Sequence, residues 1–387
     1  MAMHYPMTQF RNLCPRTVRE NYDNTFPPHV TLKWKKAKKV KSVACVTWGG
    51  RMIDAMAEVI FVPVVLFFVL ALSPATITCW WDIQPSQPHP CDPIEVSSSI
   101  RPDQVSVLIS GYSTSRIPLL QAIVRSYASS SLVSSVIVLW GNQSTEIQVL
   151  SQLLRNLTEL VPSAVTISLI RQHNDSLNER FLPRPTLVKT EAVLVCDDDV
   201  EVDKASLEFA FKVWRRNPDR LVGFFARSHD LDVKRRRWVY TVHPERYSIV
   251  LTKFMILNAK YLREYSCGGA LQRQRMRRIV DRNKNCEDIL MNFVVADIVK
   301  AAPILVGATK VRDWGDPRNE DGGQRVRKDG LSSRRKNHRK VRGECIMEFH
   351  KVLGKMPLRF NHGKIVNAVG EQGLCNKGGH LVFCDRF

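Results

Sequence analysis

The chain has 387 residues, 44% hydrophobic and 24% charged, which excludes a low-complexity or wholly disordered protein and leaves room for one large or two small domains. Its 57 Lys and Arg against 37 Asp and Glu give a formal charge of +20. That excess points to anionic partners (nucleic acid, an anionic membrane surface or phosphorylated substrates) without choosing among them.

Residues 1–57 lack clear periodicity, contain Pro27-Pro28 and read as a disordered cytosolic tail. A run at 58–81 follows, with no charged residue from Val59 to Trp81 and a nearly all-apolar centre from Ile60 to Leu72. That length spans a bilayer as a signal-anchor, with Trp80 and Trp81 at one interface. A buried core helix, or a cleaved signal after a start at Met52 or Met56, is the alternative. Lys33, Lys35, Lys36, Lys38, Lys39, Lys41 and Arg51 precede the run, so the positive-inside rule makes the C-terminal part lumenal, in a single-pass type II arrangement. Residues 82–102, rich in Pro and Ser, read as a stem, and the folded unit is expected over 103–387. Seven cysteines follow the run, which an oxidising lumen would allow to pair; no CxxC occurs, so zinc is not expected. Asn142, Asn156 and Asn174 each open an N-glycosylation triplet, a weak signal.

Within the folded unit, 104–110, 136–140, 165–170 and the apolar run Ala192 to Cys196 read as strands, and 117–127 and 147–160 as amphipathic helices. Asp203 is expected to cap a helix running through Val213. This alternation predicts an α/β fold with a mainly parallel sheet and helices on both faces. Farther on, 221–226, 249–257 and 303–306 read as strands, 286–301 as a helix and 313–342 as a charged, Gly-containing loop. No P-loop and no GxGxxG is present, and no internal repeat.

Asp197-Asp198-Asp199 stands at the end of the Ala192–Cys196 strand, where open α/β sheets bind ligands. Alternation on an extended chain would turn Asp197 and Asp199 to one site. Such carboxylates suit a hard divalent cation, which could hold a diphosphate. Sheet, aspartates and lumenal address together suggest a metal-dependent nucleotide-sugar glycosyltransferase, in which the cation offsets charge on the departing nucleoside diphosphate. A metal-dependent phosphoryl-transfer enzyme or nuclease is a rival, and so is a nucleic-acid- or polyanion-binding protein without catalysis. The basic runs Lys234 to Arg237 and Arg334 to Lys340 permit the latter, although no nucleic-acid-binding motif accompanies them.

Several blocks in order resemble the exostosin-like glycosyltransferases, glycosyltransferase family 64, and most of all its short plant-type single-domain members. They are Ser115 to Leu120, Leu139 to Asn142, Ser176 to Phe181, the aspartate triplet, Asn285 to Phe293, Arg312 to Asp316, Gly330 to Arg334 and Met356 to Arg359. The resemblance runs from about residue 104 to 387. It implies a GT-A-type nucleotide-sugar-binding fold and a retaining, Mn²⁺-dependent hexosyltransferase in the Golgi membrane (the endoplasmic reticulum being the alternative). The sugar, an N-acetylhexosamine or mannose, would pass from a nucleotide-sugar donor to a glycan or glycolipid such as a sphingolipid headgroup.

By position the resemblance makes Asp199 the metal ligand and Asp197 the carboxylate near the ribose, with Asp198 beside them. It places Arg116, Asn142 and Arg180, with Asn178 in a loosely aligned stretch, around the nucleotide. It puts Asn285 and Asp288 near the donor sugar and acceptor, with Asp288 stabilising an oxocarbenium-like transition state or acting as nucleophile. Arg334 takes the arginine that contacts the diphosphate, and Cys286 and Cys345 the family's disulfide. Glu287 and the surroundings of Arg334 depart from the animal pattern, which leaves donor choice open.

Overall fold

The computed structural model describes residues 90–91, 100–268, 271–316, 337–367 and 374–383. The expected tail at 1–57, the apolar run at 58–81, most of the stem and Arg334 lie outside the described residues. Among the described residues no helix is long and apolar enough to cross a membrane.

The first half alternates as its hydrophobic periods require. Strands β1 (Arg101–Gly111), β2 (Val133–Trp140), β3 (Thr166–Arg171) and β4 (Thr190–Asp197) are interleaved with helices α1 (Ile117–Ala128) and α2 (Ile147–Glu159). After the short β5 (Val200–Val202), helix α3 (Lys204–Arg215) starts where Asp203 accepts from the N–H groups of Ala205 and Ser206 at 3.1 and 3.3 Å, the expected cap. β1 begins inside the expected stem, because Arg101 already pairs with Thr190 across the sheet.

The expected strands at 221–226 and 249–257 are each broken by a turn. The first becomes β6 (Val222–Gly223) and β7 (Ala226–Asp232); β8 (Arg237–Thr241) follows; the second becomes β9 (Ile249–Val250) and β10 (Phe254–Asn258). Helices α4 (Lys260–Ser266), α5 (Leu271–Asn283) and α6 (Glu287–Val299) precede β11 (Ile304–Val306) and β12 (Val311–Asp313). Helix α7 (His338–Leu353) takes the last residues of the expected 313–342 loop, and β13 (Lys364–Ile365), β14 (Leu374–Lys377) and β15 (His380–Phe383) complete the described chain.

The central sheet has eight strands in the order β13-β11-β6-β10-β4-β1-β2-β3. Only β10 runs against its neighbours, so the sheet is mixed and mostly parallel. Side-chain alternation divides its residues between two cores. Leu108, Ile137, Leu139, Val193 and Val195 face a core closed by α4, α5, α6 and α7. Val107, Ile109, Val136, Val138, Leu194 and Cys196 face a core closed by α1, α2 and α3. Among the described residues two disulfides form: Cys286–Cys345 ties the start of α6 to α7, and Cys91–Cys267 ties the chain ahead of β1 to the end of α4. The family resemblance implies the first pair and is silent on the second.

Candidate active site

The parallel register brings the C-terminal ends of β1, β2 and β4 to one edge: Ser110 pairs with Asp197, and Gly111 with Trp140. β4 stops at Asp197, and Asp198 and Asp199 form a turn. Alternation therefore ends one residue too early to turn Asp197 and Asp199 to one side. Instead the two adjacent turn residues share a cation. Arg116, in the short 3-10 segment after β1, donates through Nη1 to Asp198 Oδ1 at 2.8 Å and to Asp199 Oδ2 at 3.3 Å. Asp197 is held separately, by Arg180 at 3.1 Å.

A second carboxylate group arrives from α6. The chain enters that helix through Lys284 and Cys286, both in the left-handed region at φ 46° and 79°, and Cys286 is fastened to Cys345 of α7. The sharp entry leaves Asn285, Glu287 and Asp288 side by side at the helix start. Glu287 pairs with the same Arg180 at 3.2 Å and accepts from the Thr252 hydroxyl at 3.4 Å. Asp288 accepts from the Ile289 N–H at 2.8 Å through Oδ1 and from Arg342 Nη2 at 2.5 Å through Oδ2. Arg342 Nη1 donates to Asn285 Oδ1 at 3.0 Å, and its guanidinium lies 4.4 Å above the Tyr240 ring. Behind them Asn292 clamps both backbone groups of Val250 and accepts no slack in α6, donating also to the Asp288 carbonyl.

The result is three neighbouring, largely buried ion-paired groups, each built on one arginine: Arg116 with Asp198 and Asp199, Arg180 with Asp197 and Glu287, and Arg342 with Asp288. Removal from water would be prohibitive for any of these charges alone, and the pairing is what makes it tolerable. Burial pushes the Asp199 carboxyl up to about 7, with Asp197 and Asp198 adding repulsion that Arg116 and Lys253 only partly offset. Burial likewise raises Asp198, and lifts Glu287 to about 6 despite Arg180. For Arg342 burial works the other way, but Asp288 and Tyr240 prevail and raise its pKa.

Oδ1 of Asp199 and Oδ2 of Asp198 are buried without a hydrogen-bond partner. Orphaned carboxylate oxygens with raised pKa values suit a divalent cation. Among the described residues no group of three or more His, Cys, Asp or Glu forms a ready cage. A cation here would therefore need oxygens from a ligand, the usual arrangement where substrate phosphates complete the coordination. The segment after β12 closes over this point: Trp314 N–H donates to the Asp199 carbonyl at 2.8 Å, and Lys253 pairs with Asp313. Gly315 lies so close that a Cβ there would stand 2.5 Å from Asp199 Oδ2.

Of the residues singled out from sequence, these contacts gather Arg116, Asp198 and Asp199 into one group, Arg180 and Asp197 into a second with Glu287, and Asn285 and Asp288 into a third around Arg342. Asn142 stands at the same edge, just past β2, where its Oδ1 accepts from the Ser144 N–H and hydroxyl. Asn178 is engaged elsewhere: Oδ1 accepts from Tyr265 at 2.5 Å and Nδ2 donates to Asp281 and the Arg277 carbonyl. It lines a separate cavity of about 370 Å³ with Ser176, Arg277, Asp281 and Lys284. Sequence reasoning passed over Arg342, the guanidinium that meets Asp288.

Residues 105–370 match the glycosyl transferase family 64 domain. The chain belongs to glycosyl transferase family 64. It is 62% identical over 301 residues to Glycosyltransferase family protein 64 C3 of Arabidopsis thaliana, covering 77% of this chain and 91% of that protein. It is 29% identical over 314 residues to Glycosylinositol phosphorylceramide mannosyl transferase 1 of Arabidopsis thaliana, covering 78% and 87%. Exostosin-1c of Danio rerio is 30% identical over 245 residues, which cover 60% of this chain but 29% of that longer protein. This family 64 chain is a glycosyltransferase, and the aspartate turn and the α6 carboxylates are its candidate catalytic centre.

Proposed function

We propose that this glycosyltransferase has a GT-A-type domain and moves mannose or an N-acetylhexosamine, with retention, from a nucleotide-sugar donor to a glycan or glycolipid. The acceptor class follows from the inositol phosphorylceramide named in one plant relative. The observation that carries the reading is the presence of two centres, partnerless oxygens of Asp198 and Asp199 at the sheet edge and the Asp288–Arg342 pair, with Arg180 bridging their chain neighbours Asp197 and Glu287.

Asp199, with Asp198 beside it, would hold Mn²⁺, which when bound supplies charge neutralisation to the donor diphosphate. Arg116 fixes the two carboxylates in place and keeps their mutual repulsion from opening the turn. Arg180 holds Asp197 and Glu287 at a constant separation, so the donor-phosphate side and the sugar side of the site stay in register. Both oxygens of Asp288 are already held, which favours a fixed anion facing the positive charge that develops at the anomeric carbon over a freely attacking nucleophile. Arg342 orients that anion and presents a fixed positive group beside it.

The test is hydrolysis of a panel of UDP- and GDP-sugars by the full-length chain, with and without Mn²⁺. Metal-dependent hydrolysis of one donor is the expected result and identifies the sugar. Equal hydrolysis in chelator would refute the metal assignment. A folded protein that neither cleaves nor binds any of these donors would refute the donor class.

A further inference from the structure

The β7–β8 hairpin ends in five consecutive exposed residues, Val233-Lys234-Arg235-Arg236-Arg237. Asp232 opens the turn, its Oδ1 accepting from the Arg235 N–H at 3.0 Å, and the five positions after it carry none of the Gly, Asn, Asp, Ser or Pro that water-facing turns favour. Arg236 even adopts the left-handed conformation, at φ 49°, where Gly or Asn is the ordinary occupant. The apolar side chains here are turned outward: Val233 is 75% exposed and Leu231 49%. Of the four cations, Arg235 is compensated by Asp232 at 3.6 Å, while Lys234, Arg236 and Arg237 make no ion pair among the described residues.

An outward β-branched residue followed by uncompensated cations has the chemistry of a segment resting on an anionic bilayer. The apolar group enters the headgroup boundary and the cations meet phosphates. The hairpin also leads to the site. Tyr240, four residues beyond Arg236 or about 13 Å along a strand, lies beneath Arg342, the partner of Asp288.

We propose that the β7–β8 tip is a docking surface for phosphorylated lipids, which seats the centre around Asp288 against an anionic membrane. What the surface serves rests on the proposed glycosyl transfer; the docking itself does not. Three uncompensated cations would favour the docked state by on the order of a hundredfold on an anionic surface.

The test is amide hydrogen exchange of residues 231–237 in the full-length chain, held in nanodiscs of phosphatidylcholine alone or with phosphatidylinositol added. Slower exchange at the tip in the anionic discs, abolished in K234E/R236E/R237E, is expected. Thermal melting of that variant guards against loss of folding, and Val233→Ser, which should lose part of the protection, provides a second variant. Equal exchange in both discs would overturn the proposal. So would equal protection by inorganic phosphate or by a soluble sulfated oligosaccharide in phosphatidylcholine discs, which would indicate a phosphate or glycan site instead. Donor hydrolysis is measured on the same wild-type preparation, so an unprotected tip with intact hydrolysis refutes the docking alone.

Discussion

Asp288 has one oxygen held by the Ile289 N–H and the other by Arg342, whereas Asp199 has one oxygen with no partner at all. That contrast separates an oriented anion from a ligand-seeking one, and each makes a prediction. Asp288→Asn keeps the shape and removes the charge; kcat should fall by about 10²–10⁴-fold while donor binding, read by calorimetry, persists. Unchanged turnover would remove Asp288 from the mechanism. Arg342→Lys retains the charge but not the two-pronged hold on Asn285 and Asp288, and should lower kcat with little change in donor KM. Gly315→Ala would press a methyl group into Asp199 Oδ2, so the Mn²⁺ concentration for half-maximal activity should rise about tenfold, or about 1.4 kcal/mol. An unchanged metal titration would show that the Trp314 segment yields. At this scale the aspartates could be read directly, bunched at a strand end, whereas Asp288 was singled out only through the family resemblance, since a carboxylate in the first turn of a helix is ordinary. Arg342 was not legible, because within His338-Arg339-Lys340-Val341-Arg342 nothing local distinguishes a buried guanidinium from its solvated neighbours. Only the fold selects it.

At the level of elements, α6 and α7 meet at the site as a fastened pair. The Cys286–Cys345 bridge joins the start of α6 to the turn of α7 that carries Arg342. Replacing both cysteines by serine frees a loop with a sequence separation of 59, worth about 4 kcal/mol of stability on loop-entropy grounds. We expect a lower Tm and, at temperatures where the variant is still folded, a reduced kcat because Arg342 is less well placed. A variant that melts lower yet turns over normally would confine the bridge to stability. β1 to β4 and α1 to α3 could be read within a few residues, because the central strands, buried in both cores, are near-continuous apolar runs and each helix buries one stripe. Helix α5 escaped because Leu271 to Asn283 carries five arginines around a stripe of only Met276, Ile279 and Val280. α7 hid its apolar face, Cys345, Ile346 and Phe349, behind a basic run that reads as loop.

Across the whole molecule, one buried histidine links stability to pH. His229 bonds the Ser248 hydroxyl at 2.7 Å, stacks on Phe360 and lies against Trp238; burial lowers its pKa to about 4. The unfolded chain would protonate near 6.5, so between those values U binds a proton that N does not. The stability present above about pH 6.5 is therefore lost progressively toward about pH 4, by on the order of 2–3 kcal/mol. Asp199 and Glu287, raised to about 7 and about 6, act in the opposite sense over that window, so the part due to His229 is read as a difference: the urea midpoint of the wild type relative to His229→Gln should decline with acidification. An identical slope in the variant would assign the pH dependence to other groups.

The bond from Cys91 to Cys267 closes a loop of 176 residues around β1 to β4, and its first cysteine precedes the sheet. A protease that cuts between Cys91 and Arg101 would sever the backbone without parting the molecule. The fragments would migrate together on a non-reducing gel and separate only after reduction. Scission there and separation of the two pieces are thus two different events, and a thiol decides between them.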